Sequence, residues 1–185
     1  ELKKLKNTLL GSEPDLIAVK NLVKALSPKL PNFTRETEYV ALTDKNEYAL
    51  YDGDIASSLG DTAPVSEYRP WTNEYLVPQS TAKYTKRKRD SLMVGALARF
   101  NINHKQLTPK ASAVAKELGL VAPCYNPFMN SVAQLVECVY MVEDSVRIID
   151  ELLKRGIKDE KVEVKPRAGQ GVGAVDVPRG ILFHD

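Results

Sequence analysis

The sequence closes on Val162 to Asp185, V-E-V-K-P-R-A-G-Q-G-V-G-A-V-D-V-P-R-G-I-L-F-H-D. Two β-like runs, Val162–Val164 and Ile181–Phe183, flank a glycine-rich bend at Gly169, Gly171 and Gly173. The pattern predicts a β-hairpin over 162–185, because glycines at that density let a backbone turn sharply and approach a neighbour closely. Pro178 fixes φ and offers no N–H, so Arg179 is presented from a stiff backbone. Arg179 is a permanent cation with a forked donor face. A proline-braced guanidinium of this kind can be held over a reactive centre; a hairpin carrying a solvated arginine is the plainer alternative.

Upstream of the hairpin, Asn126-Pro127 opens the longest helical pattern, which runs to Arg155-Gly156. Its apolar residues, from Phe128 and Val132 through Leu135, Val139 and Ile149 to Leu153, surround most of the circumference, which places the helix centrally in a bundle. Cys138 lies within it and reads as core filler. Glu137, Glu143 and Asp144 lack the histidine of a metal-binding pair. Thr108 and Pro109 have the types of an N-cap and first helical residue, and Gly119 that of a C-cap, so 108–156 is a helical core.

At the other end, 1–30 reads as a helical pair. Leu2, Leu5, Leu9 and Leu10 recur at helical spacing, Gly11 acts as a stop, and Ser12 and Pro14 start a second helix reaching Ser27-Pro28. Glu38–Leu42, Glu47–Tyr51 and Ile55–Leu59 read as the strands of a β-meander over 38–59. Irregular loops are expected over 60–107, with a short helix at Pro64–Tyr68. Within them Tyr68, Trp71, Tyr75 and Tyr84 precede Lys86-Arg87-Lys88-Arg89. Aromatics beside basic residues suit single-stranded nucleic acid, but a net charge of +2 supplies no basic face, so the run reads as a solvated loop. His104 reads as exposed.

A hydrophobic content of 43% and a charged content of 27% are those of a soluble globular protein. No apolar run approaches the roughly 20 residues a membrane span needs. Cys124 and Cys138 are too few and too widely spaced for a disulfide framework or a C-x-x-C pair, and read as reduced thiols in the cytoplasm. The fold class expected is helix-rich α+β: a long central helix, a small antiparallel meander and a C-terminal hairpin. The first residue is not Met and the last follows a β-like run, which reads as one piece, 1–185, of a longer chain.

The string Gly171, Gly173, Ala174, Asp176, Pro178, Arg179, Gly180, Leu182, His184 resembles a motif of the large (alpha) subunit of nickel–iron hydrogenases, G-x-G-A-x-[ED]-x-P-R-G-x-L-x-H. The family usually has Glu-Ala where this chain has Asp176-Val177; no role is carried over to Asp176. A second string, Met93-Val94-Gly95-Ala96-Leu97-Ala98-Arg99-Phe100-Asn101-Ile102-Asn103, is similar to M-V-G-x-L-A-R-x-N-x-N of cytoplasmic, nicotinamide- or deazaflavin-linked members. On its residues alone it is a tightly packed core segment capped by Arg99, and Arg99 is not placed in the site.

The resemblance covers the chain from the meander onward and implies the middle of that large-subunit fold. It implies reversible oxidation of dihydrogen to protons and electrons at a nickel–iron centre with diatomic ligands on iron. In the family that centre is held by four cysteines from two C-x-x-C motifs; neither is present here, so this chain alone is expected to ligate no metal and bind no cofactor, and to be inactive. The catalytic residues implied are Arg179, over the open face of the metal pair, and Pro178, lining the pocket of the diatomic ligands. Arg179 stabilises charge in a dry site; as a base it is hampered by a pKa near ~13, which leaves a cysteine thiolate outside this chain as an equal contender. The implied partner is an iron–sulfur small subunit, with room for further diaphorase-type subunits. No nucleic-acid partner is expected. Two alternatives stand beside this reading: a complex I-type core subunit without nickel, and a non-catalytic helical interaction domain. Alone, the chain is expected to expose apolar surface and self-associate.

Overall fold

The computed structural model describes residues 1–158 and 162–185. Helices α1 (Leu2–Gly11) and α2 (Glu13–Leu26) follow one another with only Ser12 between them. As predicted, α1 stops at Gly11 and α2 starts after Ser12, which itself keeps helical dihedrals while its hydroxyl donates back to Leu9 O at 2.6 Å. Pro14 falls in the first turn of α2, where a missing N–H costs nothing. No side chain of either helix is fully buried, and Leu5, Leu10, Ile17, Leu22 and Leu26 are exposed. The pair is an outer layer, not core.

Strand β1 (Glu38–Thr43) is the spine of the sheet. It pairs antiparallel with β2 (Asp54–Ser57), which pairs antiparallel with β3 (Thr62–Ala63). The meander is therefore real, but its members differ from the expected ones. Glu47–Tyr51 forms no strand. Tyr48 and Ala49 are buried from a loop, and the Leu50 carbonyl is spent on the N–H of Asp176 at 2.5 Å. Apolar composition there reflects burial rather than pairing. The strand expected at Ile55–Leu59 is present as β2, Asp54–Ser57, the second of the meander, and the third is Thr62–Ala63.

Residues 60–107 are far from irregular. They hold β3, the short helix α3 (Arg69–Thr72), a hairpin of β4 (Glu74–Val77) and β5 (Ser80–Thr85), strand β6 (Leu92–Met93) and helix α4 (Ala96–Asn103). Strand β6 joins β1 in parallel, giving the order β3-β2-β1-β6. Since both faces of β1 are covered, its side chains alternate between two cores. Tyr39 and Ala41 pack with Tyr48, Leu97, Phe100, Val132 and Val136, whereas Val40 and Leu42 pack with Ile55, Trp71 and Ala174.

The basic run is not a solvated loop either. Arg87 stacks on Trp71 at 4.0 Å and donates to Glu38 at 2.6 Å, Lys88 pairs with Asp61 at 2.7 Å, and Arg89 pairs with Glu36 at 2.5 Å. Glu38 is fully buried and also accepts from Ser57 at 2.7 Å and from the Lys88 N–H at 2.9 Å. Three of the four basic residues, Arg87, Lys88 and Arg89, thus pair with acids of the sheet and its flanks, while Lys86 lies over the Tyr75 ring at 5.6 Å.

Burial would raise the Glu38 pKa, but the donors from Ser57, Arg87 and Lys88 outweigh it and hold it below the ordinary 4.5. A depressed carboxylate contributes stability that is complete above its unfolded value and lost as pH falls through the folded one. The melting temperature is therefore expected to drop as pH falls below 4.5, and Glu38→Gln to flatten that drop. Thermal unfolding across an acid pH series checks this; identical slopes in the two proteins would contradict it.

Helix α5 (Pro109–Glu117) begins as its sequence predicts, with the Thr108 hydroxyl accepting from the Ala111 N–H. Helix α6 (Asn130–Arg155) is the long central element. Its first half buries Val132, Ala133, Leu135, Val136, Val139 and Tyr140 against α4 and α5, while Met141 and, in the second half, Ile148 and Leu153 are exposed. Cys138, expected as core filler, points away from that face and is exposed. His104 is only partly exposed and lies against the Phe100 ring at 5.9 Å.

The C-terminal hairpin is shorter than predicted. Strands β7 (Gly173–Val177) and β8 (Gly180–His184) pair antiparallel, with Val177 opposite Gly180. The turn is Pro178-Arg179, so Gly169 and Gly171 precede the hairpin instead of forming its bend. Val162–Val164 is no strand; Val162 and Val164 are each 75% exposed. Ile181–Phe183 pairs with Ala174–Asp176, the nearest segment a tight connection can bring alongside.

Candidate functional site

The two sequence strings of interest meet in space. Gly95 precedes α4 at φ +90°, where a side chain would be strained. A Cβ there would lie 3.2 Å from Arg179 O and 3.6 Å from Pro178 O. On the other side, a Cβ on Gly180 would lie 2.6 Å from Val94 Cγ2. The Pro178-Arg179 turn is thus seated directly on Val94-Gly95, and both glycines are there because backbone meets its neighbour without room for a Cβ.

Beneath the turn lies a buried charged cluster. Arg99, one helical turn into α4, is 1% exposed. Its Nε and Nη2 donate to the two Glu137 oxygens at 2.6 and 2.7 Å, a bidentate pair. Its Nη1 donates to Asp176 Oδ1 at 2.6 Å, and Nη2 also donates to Pro178 O at 2.9 Å. Asp176 is fully buried and its Oδ2 accepts from the Leu42 N–H at 3.0 Å. Tyr48 donates its hydroxyl to Glu137 at 2.8 Å.

Burial would lower the Arg99 pKa, but the hydrogen bonds and charges of Glu137 and Asp176 outweigh it and hold it above the ordinary arginine value. Burial, then the Glu137 carboxylate, push the Tyr48 phenol well above its usual range, so it remains a donor. Asp176 is raised by burial, with Arg99 pulling the other way. One guanidinium between two carboxylates leaves one buried negative charge in surplus.

Pro178 and Arg179, the two residues singled out by sequence, sit at the tip of this assembly and are exposed. Arg179 lines a cleft of about 670 Å³ with Trp71, Val94, Lys83 and Phe183. Arg99, Glu137 and Asp176 were given no functional place by sequence, yet all three support the tip. Each stands alone as a charge within an apolar run: Leu97-Ala98-Arg99-Phe100, Leu135-Val136-Glu137-Cys138-Val139 and Ala174-Val175-Asp176-Val177. An ionisable residue in such a run is buried only when paired, and that was the available signal.

This chain's donors do not fit a nickel–iron pair. Cys124 is half-buried, with its thiol pushed up by burial, and Cys138 is exposed on α6. Among the described residues no group of three or more His, Cys, Asp or Glu side chains is placed to hold a metal ion, and no helix is long and apolar enough to cross a membrane.

No family model matches the sequence. The alpha subunit of sulfhydrogenase 1 of Pyrococcus furiosus is 34% identical over 137 residues, covering 74% of this chain and 32% of that subunit. The alpha subunit of sulfhydrogenase 2 of the same organism is 30% identical over 112 residues, covering 60% and 27%. The matching subunit of the vhu F420-non-reducing hydrogenase of Methanococcus voltae is 28% identical over 164 residues, covering 81% and 38%. The chain is a hydrogenase alpha-subunit relative. This hydrogenase chain spans about a third of the length of the curated relatives it matches. Its fold is shared with an NAD+-reducing [NiFe]-hydrogenase in the H2-reduced state, at TM-score 0.68 and 23% identity over 99% of this chain and 44% of that one. The helix-rich α+β expectation, resembling the middle of that fold, agrees with this likeness.

Proposed function

We propose that this chain forms part of the catalytic alpha subunit of a nickel–iron hydrogenase, which oxidises dihydrogen reversibly to protons and electrons. The observation that carries the reading is the seating of the Pro178-Arg179-Gly180 turn on Val94-Gly95. Two segments similar to the family's strings and far apart in sequence are packed into one feature, on a fold shared with a [NiFe]-hydrogenase. The nickel–iron centre, with its diatomic ligands on iron, is held by cysteines outside this chain. Arg179 acts as a fixed cation at the reacting face, and Pro178 sets the direction in which it is offered. A guanidinium is poorly suited to accept a proton, so its part is to stabilise charge where water is excluded.

The partner is an iron–sulfur small subunit in the cytoplasm, with further diaphorase-type subunits beyond it. It carries electrons away from a centre that has no direct contact with a distant acceptor.

The test is to express the complete subunit with its partner and measure bound nickel and dihydrogen-dependent dye reduction, beside the present chain alone. The complete subunit is expected to hold stoichiometric nickel and to reduce the dye, and the chain alone to hold none. A folded, complete subunit that takes up no nickel and oxidises no dihydrogen would overturn the reading.

A further inference from the structure

We infer that Arg99, Glu137 and Asp176 form a buried clamp that sets the position of the Pro178-Arg179 turn. They are positioning residues for the exposed guanidinium rather than ordinary core ion pairs. The inference rests on the reading of Arg179 given above, and its structural half can be tested without it.

The geometry points to the turn as the thing being held. An ion pair that served only the core would end at carboxylates. Here the same Nη2 that meets Glu137 at 2.7 Å also reaches Pro178 O at 2.9 Å, the carbonyl of the peptide that joins Pro178 to Arg179. That peptide is planar, so fixing its oxygen fixes the plane from which Arg179 departs. The Arg179 carbonyl on the next peptide is backed by Gly95. Asp176, two residues before Pro178, is tied to Arg99 through one oxygen and to the β1 backbone through the other. Its own N–H is spent on the Leu50 carbonyl. Three elements, α4, α6 and β1, therefore converge on one short turn. Glu137 in turn holds the guanidinium in a single orientation through its bidentate pair, braced by Tyr48.

Arginine is required for this arrangement, because a planar fork can meet two carboxylates and a carbonyl at once whereas an ammonium is a point donor. In the complete subunit with its partner, Arg99→Lys is expected to keep the charge and the fold. It should speed amide hydrogen exchange in the peptide containing Ala174–Phe183 by at least ~10-fold, since exchange reads local opening. Turnover should fall by at least ~10-fold with little change in KM, the signature of a reacting group displaced after substrate is bound. Exchange elsewhere should stay as in the parent. Unchanged exchange in that peptide, in a folded protein, would overturn the clamp. If Arg99→Lys does not fold, Asp176→Asn serves instead. It removes the surplus buried charge, keeps an oxygen for the Leu42 N–H and weakens only the tie between Arg99 and β7; the same exchange and kinetic outcomes decide. A loosened hairpin with undiminished turnover would uphold the clamp and count against Arg179 as the working cation.

Discussion

Arg99→Met is expected to destabilise the folded subunit by about 3–5 kcal/mol, the cost of leaving buried charge without its partner. Arg99 is 1% exposed, and its loss strands Glu137, Asp176 and the Pro178 carbonyl together. A loss of that size approaches the whole stability of many domains, about 5–15 kcal/mol, so the variant should melt far below the parent. The defect should also carry its own pH dependence. Asp176 already lies above the ordinary 3.8 because of burial, and Arg99, with the Leu42 N–H beside it, pulls it down. Without Arg99 its folded value rises further above the unfolded one. A raised carboxylate favours the folded state at low pH and loses that advantage as pH climbs from the unfolded value through the folded one. The deficit of Arg99→Met should therefore widen with rising pH, opposite in sign to the contribution of Glu38. Urea melts of parent and variant at acid and neutral pH measure it. A pH-independent deficit would mean that the cavity, and not the stranded charge, accounts for the loss.

Why these charges escaped a sequence reading is a matter of range. Helices α5 and α6 are announced by local chemistry: Thr108 and Pro109 start one, and apolar periodicity carries the other. The hairpin's composition was equally plain, but its register was not. Val162–Val164 has the residue types of a strand, yet pairing goes to the segment a two-residue turn can reach, and Pro178-Arg179 supplies that turn. Glu47–Tyr51 misled for a related reason: burial under Tyr140 and Asp176 selects the same residue types as a ladder does. The Lys86–Arg89 run looked solvated because Glu36, Glu38 and Asp61, which neutralise it, are remote in sequence: Asp61 lies 26 residues from Arg87, and Glu38 lies 49 from it. Long-range pairing of charge leaves no periodicity to read. What local sequence does offer is the mismatch of a lone ionisable residue in an apolar run. By that criterion Arg99, Glu137 and Asp176 were visible singly; only their convergence needed the fold.

Arg179→Lys in the complete enzyme is expected to lower turnover at least ~100-fold while nickel and iron remain bound, the loss typical of one preorganised electrostatic donor. The substitution isolates the side chain's role because it leaves the scaffold alone. Arg179 is exposed, and the contacts that seat the turn are made by its backbone, by Pro178 O and by Gly180. Folding and metal loading should therefore match the parent. Lysine also keeps the positive charge, so a role that needed only charge would survive. What it loses is the rigid fork: an ammonium on a flexible stem samples many positions, and a cation displaced by an ångström or so no longer lies where charge develops. Dihydrogen-dependent dye reduction, with nickel and iron measured on the same sample, separates the outcomes. Near-normal turnover with full metal content would remove Arg179 from the reaction and return it to a solvated residue on a well-clamped turn.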